Sequence, residues 1–517
     1  MGKSGNKGSQ PNKFNPEDLN NYFSSVSTDS NYVQPSKKLT VNNKLKFFTE
    51  FSIFKKFDNL KVTSPGLDGI PSWFLRVAAP SISFPLTVLY NESIARSFVP
   101  KQWKIAVVTP VPKVPKPNTC QEFRPISVTP IISRVLEKLV VCQYLYLVLY
   151  HNKYKHNYMD QFAFRPSGST TSALICLTEK ICKLLVNHPY IHVISFDMSK
   201  AFDTVRHSAL MEKLANMSIP DPVYNWLVDF LENRQHVTKV NQLVSGPAII
   251  NASIVQGSGI GPCCYILNSG DLHPKIENND YNKYADDVYL LVPSSNSHLI
   301  PVEIKHMQEW ANDNNLKLNA SKTKEMIVAR PRFKKSPNYV APPAIPGIER
   351  VGTMKILGVL VDDALTFKSH IEKLLTTSAS TQYGLKILRS KGLVGPQLWE
   401  VTKQVLNSRL LYACPAWSGF IDASSRSRLI SLTRRLVKLN FLPHDHGTFD
   451  DLCRACETHL FDVIQYNCDH VLHHMLPPIK NEHYNLRPRT HNRTLPCIKT
   501  TLQHKTFLNR MLFTNVY

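Results

Sequence analysis

The chain has 517 residues, with 61 Lys and Arg against 39 Asp and Glu, a formal charge of +22. A 43% hydrophobic and 19% charged composition excludes wholesale disorder and leaves room for about three domains. The longest apolar run, Leu139 to Tyr150, contains Gln143 and is too short to span a membrane, so the charge surplus points to nucleic acid rather than a bilayer.

Residues 1–40 are rich in Ser, Asn, Lys and Gly, lack the apolar stretch of a signal sequence, and read as a flexible N-terminal segment. Eleven cysteines, an odd number without a signal, suit reduced thiols in an intracellular protein, nuclear or cytoplasmic and not secreted. Turn residues cluster in SPGLDGIP (64–71), and helical spacing follows over 73–96 and 133–150. Between them, 105–117 starts as a strand and becomes proline-punctuated extended chain.

The middle of the chain changes rhythm. Strands are expected at 192–199, in pairs over 236–257, about an Ala-Asp-Asp turn within 282–293, and at 325–329. Helices fall between them at 207–217, 224–232 and 303–319, which implies one α/β region with its sheet covered on one face. Helical patterns then dominate over 368–390, 396–411 and 424–439. The last segment, 441–517, holds nine of the 19 histidines and reads as a basic, His-rich C-terminal region.

A basic protein that keeps acids at special backbone positions needs a reason. Asp197 ends the first strand of the middle region, and Asp286 and Asp287 sit at the expected hairpin tip. Strand end and hairpin tip can share one sheet edge, where crowded carboxylates repel unless a hard divalent cation joins them. Two Mg²⁺ ions about 4 Å apart can activate an attacking 3′-hydroxyl and stabilise leaving pyrophosphate. An Asp-Asp turn alone is ordinary turn chemistry, and Asp287 is the weaker ligand because turn neighbours diverge. The run Gln256-Gly257-Ser258-Gly259-Ile260-Gly261-Pro262 lets backbone approach a ligand closely. Lys113 and Arg124 would share a face across a strand–turn–strand, a point charge and a fork for phosphate oxygens.

In order along the chain, these blocks resemble reverse transcriptases of non-LTR (LINE-type) retrotransposons, nearest to the jockey superfamily. The resemblance rests on SPGLDGIPSWFL (64–75), VPKQWKIAVVTPVPK (99–113), FRPISVTPIISRVLEKLV (123–140), DQFAFRPSGSTTSAL (160–174) and SFDMSKAFDTV (195–205). It continues through QGSGIGP (256–262), KYADD (283–287), NLKLNASKTK (315–324) and KILGVLVDD (355–363). It covers about residues 20–492.

This resemblance implies an α+β right-hand polymerase: fingers and palm within 41–365, a helical thumb over 366–440 and a helical C-terminal region. It implies RNA-directed DNA polymerase activity, with an RNA template, a DNA primer and deoxynucleoside triphosphates as partners and no membrane. Asp197 and Asp286 would be the principal ligands of two Mg²⁺ ions, Mn²⁺ being an alternative, with Asp287 assisting. Phe202 matches the steric-gate aromatic that excludes a ribose 2′-OH. Gln256 and Gly257 match the loop along the incoming nucleotide, and Lys113 and Arg124 the triphosphate grip. Lys322 matches the proposed general acid, with Lys324 nearby as the alternative. Asp203 is not expected to bind metal. Leu357-Gly358 falls at the primer grip. Departures are LNSGDL (267–272), less aromatic than in relatives, and the short lead-in, which leads to the expectation of a polymerase part without its endonuclease domain. The rivals are a silent RNA-binding relic and a metal-dependent nuclease.

Three further groups carry a bland reading beside a functional one. Cys453, Cys456, Cys468 and His470 have partial zinc-knuckle spacing but sit among acids, which favours ordinary helical packing of thiols. Tyr484, Arg487, Arg489 and Arg493 mix cations with an aromatic, as an RNA-contacting tail would, or a solvated one. His207 reads as a satisfied helix-start residue.

Overall fold

The computed structural model describes residues 14–39, 44–151, 153–334, 336–337, 339–480 and 491–514. Segments of two compact units alternate along the chain: one takes residues up to 158, 198–272 and 307–317, the other 159–197, 273–306 and 318 onward.

In the second unit, β-branched and apolar runs form Tyr190–Phe196, Asp287–Pro293 and Lys324–Ala329. They are the centre of a five-stranded sheet ordered 349–350, 324–329, 190–196, 287–293, 280–284, antiparallel except for its first pair. One face sends Ile191, Val193, Leu291, Met326 and Val328 into a core shared with the helix Thr170–Asn187. The other face is buried too: Ile194, Leu290 and Val292 are fully enclosed, and Glu325 joins His192 (2.6 Å) and Arg350 (2.7 Å) there. The expectation of a sheet covered on one face is therefore corrected. Unbroken apolar runs such as 288–292 are the pattern of a strand enclosed on both sides.

The same core extends through Ile356, Phe367, Trp417, Leu432 and Phe449. It draws on the hairpin Thr353–Ile356/Val359–Asp362 and the helices Lys368–Ser390, Ala423–Lys438 and Phe449–Tyr466. Asp422 caps the second of these helices, and a Thr448/Asp451 capping box starts the third.

In the first unit, Ile105–Pro112 pairs antiparallel with Phe123–Val128 and parallel with Arg234–Val240, which carries two short antiparallel partners. The expected helix over 133–150 is Ile131–Val140 and Tyr146–Tyr150, joined through a wider helical turn. The flexible segment expected over 1–40 is corrected for Pro16–Val26, a helix whose Asn15 cap accepts from Glu17 N. Leu19 and Phe23, four apart, bury against Val108, Phe123 and Val240, a stripe hidden by the polar composition around it. The charge expected of 441–517 is also corrected: eight Lys and Arg stand against seven Asp and Glu, close to balance.

Candidate active site

Sheet register brings the acids together. Phe196 faces Val288, and Ser195 faces Tyr289 on one side and Lys324 on the other. Carried one residue further, the same registers set Asp197 between Asp287 and Lys322. Asn319 N donates to Asp197 O at 2.8 Å, and Lys322 Nζ stands 3.5 Å from Asp197 Oδ2.

Asp286 occupies the second position of a two-residue loop between Asp280–Tyr284 and Asp287–Pro293, closed by the Tyr284–Asp287 pair. The first loop residue, Ala285, has φ 54°, the sign that a tight hairpin turn requires there. Asp287 is exposed at the surface, yet protein crowds its carboxyl. That loss of solvation first, and the negative charges of Asp286 and Asp197 second, pushes its pKa up to about 6.

Among the described residues, no three His, Cys, Asp or Glu side chains enclose a metal ion. Magnesium does not need such a cage: one or two carboxylates hold it, and water and phosphate oxygens complete its shell. Three mutually repelling carboxylates of all-oxygen character fit that ion.

In the first unit, the register Val111–Arg124 and the bond from Lys113 N to Glu122 O (2.7 Å) put Lys113 and Arg124 on one face of the strand pair. Both are exposed, and Lys113 Nζ donates to Gln121 O at 2.8 Å. The Phe202 ring stacks on buried Tyr265 with centroids 4.6 Å apart, while its backbone oxygen accepts from Ile254 N at 2.7 Å. Gln256 O accepts from Ser127 N at 2.9 Å. At Gly257, with φ 114°, a Cβ would lie 2.1 Å from Ser127 O, so this close approach admits no side chain. Glu137, fully buried, accepts from Gly259 N at 2.6 Å and pins the rest of the loop. Asp203 lines a cavity of about 30 Å³ with Ser127, Arg234, His236 and Gln256, and burial pushes its pKa up to about 6.

Residues 114–361 match the family described as reverse transcriptase (RNA-dependent DNA polymerase). The reverse transcriptase match thus covers just under half of the chain. Over 389 residues it is 27% identical to the probable RNA-directed DNA polymerase from transposon X-element of Drosophila melanogaster, covering 73% of this chain and 42% of that protein. Over 353 residues it is 26% identical to the RNA-directed DNA polymerase from mobile element jockey of the same species, covering 65% of this chain and 36% of that one. The chain thus spans less than half the length of these curated relatives. A structure of telomerase from Candida albicans with a fragment of telomeric RNA matches at 14% identity and TM-score 0.38, over 78% of this chain and 64% of that one.

The described residues combine helices with mostly antiparallel sheets, as the α+β class expected from the sequence requires. Reverse transcriptase domains generally depend on a divalent metal and use an RNA template. No helix among the described residues is long and apolar enough to cross a membrane.

Sequence reasoning missed three supports of the candidate residues: Ser127 and Glu137 behind the glycine loop, and Tyr265 behind the Phe202 ring. None left a signal: Glu137 falls with Ser133, Arg134 and Lys138 on one polar stripe of its helix and reads as a surface charge. The other groups weighed beside the site fare differently. Cys453 and Cys456 sit against Cys414, whose thiol is pushed far up by hydrogen bonding to both, while Cys468 is exposed. Arg493 is buried, donating to Pro477 O at 2.8 Å, which corrects its reading as a tail residue; Tyr484, Arg487 and Arg489 lie outside the described residues. His207 starts its helix and bonds Ser253 O at 2.8 Å, but its Nδ1 is buried with no hydrogen-bond partner among the described residues, so it is only half satisfied there.

Proposed function

We propose that the chain is an RNA-directed DNA polymerase of a non-LTR retrotransposon. It transfers a deoxynucleotide from its triphosphate to a DNA primer 3′-OH on an RNA template and releases pyrophosphate. The observation that carries this reading is the register that aligns Asp197 with Asp287 and Lys322 beside the turn bearing Asp286.

Asp197 and Asp286, with Asp287 assisting, would hold the divalent ions. Magnesium, or manganese, when bound supplies charge neutralisation at the attacking oxygen and at the leaving pyrophosphate. The side chains do the remaining positioning. Lys322 holds a proton for the pyrophosphate. Lys113 and Arg124 grip the triphosphate, with the fork geometry of Arg124 suited to paired oxygens. The Phe202 ring takes the volume a 2′-OH would need, and the glycine at 257 lets the loop backbone lie close to the nucleotide. The +22 charge attracts the template–primer duplex, so binding should weaken steeply with salt.

Primer extension on an RNA template with Mg²⁺, comparing wild type with Asp286→Asn, tests the reading. Extension by wild type that drops at least a thousandfold in the variant supports it. No extension by either protein would indicate a binding relic, and template cleavage without extension a nuclease.

A further inference from the structure

The hairpin bearing Asp286 has a backbone problem that its own strands do not solve. Tyr284 and Asp287 close the ladder, so the N–H and C=O of Ala285 have no partner in it. Ala285 also holds φ 54°, a conformation that residues with a Cβ rarely adopt unless the surroundings impose it.

Gln161 meets both needs. Its Oε1 accepts from Ala285 N at 3.0 Å, and its Nε2 points to Ala285 O at 3.5 Å, the long limit of a hydrogen bond. The same Oε1 accepts from Ala163 N at 3.0 Å, so both lone pairs are used and the carboxamide has little freedom to rotate. Gln161 is 1% exposed, which removes water as a competitor.

The segment around it is anchored as well. Residue 161 forms a parallel bridge to Lys283, with Phe162 N donating to Lys283 O (2.9 Å) and Lys283 N to Asp160 O (2.7 Å). Lys283, itself buried, reaches Asp160 Oδ1 at 3.1 Å, and Phe162 is fully enclosed in the core. A single β-bridge on the outer side of Asp280–Tyr284 thus holds the amide that fixes the turn.

We propose that Gln161 is a positioning residue that sets the backbone from which Asp286 projects. A metal ligand must be held within about half an ångström of its productive place, and a strained loop residue with free N–H and C=O groups would not provide that. Gln161 touches no substrate in this account; it acts through Ala285. The inference rests on the reading of Asp286 as a polymerase carboxylate.

The near-isosteric Gln161→Met keeps the volume and removes the acceptor. The expected result is a kcat in RNA-templated extension at least tenfold lower, with KM for the deoxynucleotide within twofold. Gln161→Met/Ala285→Gly should regain at least threefold of the lost kcat, because glycine adopts positive φ without help. A merely structural role for Gln161 would not respond to residue 285. Amide exchange at Ala285 in the wild-type protein needs no variant and covers the case of a poorly folding one; the clamp predicts strong protection at a hairpin tip that otherwise exchanges freely. Rapid exchange at Ala285, unchanged kcat in Gln161→Met, or no rescue by glycine would overturn the proposal. A wild-type protein that protects Ala285 yet extends no primer would instead overturn the polymerase reading and leave the clamp standing.

Discussion

Lys322 Nζ lies 3.5 Å from Asp197 Oδ2, a cation held beside a carboxylate on the adjacent strand line. Lys322 is two-thirds exposed, so the pair contributes no more than about 1 kcal/mol to folding. A catalytic role and a stabilising role therefore separate cleanly. Lys322→Ala should lower single-turnover extension by about 100-fold, within the range for loss of a general acid, while the unfolding midpoint stays unchanged. A stable variant with unaltered rate would remove Lys322 from the mechanism.

The Phe202 ring stacks on Tyr265, so the proposed sugar gate would have two determinants rather than one. Phe202→Ala should admit ribonucleotides at least tenfold more readily. Tyr265→Leu, which keeps the burial but loses the stack, should raise ribonucleotide use by a smaller factor of about 3. Competition assays with paired ribo- and deoxynucleotides measure both. Selectivity unchanged in Phe202→Ala would contradict the gate.

Gly257 combines positive φ with a Cβ position 2.1 Å from Ser127 O, whereas Gly352 has open space around it. Gly257→Ala must displace the loop and should raise KM for the deoxynucleotide at least tenfold. Gly352→Ala should leave it within twofold. Equal KM values in the two variants would show that the loop backbone does not approach the nucleotide.

How much of this was legible beforehand depended on range in sequence. The Tyr284–Asp287 turn was readable because the unbroken apolar run 288–292 follows directly on its two acids, and the glycine loop because Gly257 and its neighbours stand out locally. The helix at 16–26 was obscured by Ser and Asn around the two buried residues Leu19 and Phe23. Gln161 and Glu137 could not be read as turn and loop supports, because their partners lie more than 120 residues away and a hydrogen bond to backbone leaves no mark on the partner's side chain. The two-sided burial of the central strand was hidden for a related reason: His192 and Glu325 look like surface residues until they are seen to pair.

Glu179, on the helix Thr170–Asn187, gives the fold a pH dependence. Burial pushes its pKa up to about 7, against the opposing pull of the bonds from Leu508 N and Thr506. A folded value above the ordinary 4.5 means that the folded state binds the proton more tightly. The stability this group contributes is complete below about 4.5 and is lost as pH rises through 7. Between pH 5 and 8 the wild type should lose on the order of 2–3 kcal/mol relative to Glu179→Gln. Urea unfolding of both proteins at each pH checks this, and parallel pH profiles would refute it.

The central claim is that Asp197 and Asp286 share a divalent ion. Titration of the protein with Mn²⁺, followed by the electron paramagnetic resonance of the free ion, tests it without any substrate. Asp197→Asn and Asp286→Asn should each weaken binding at least tenfold, while Asp203→Asn, altered in the first unit, should leave it as in wild type. Wild-type affinity in Asp197→Asn would contradict the account.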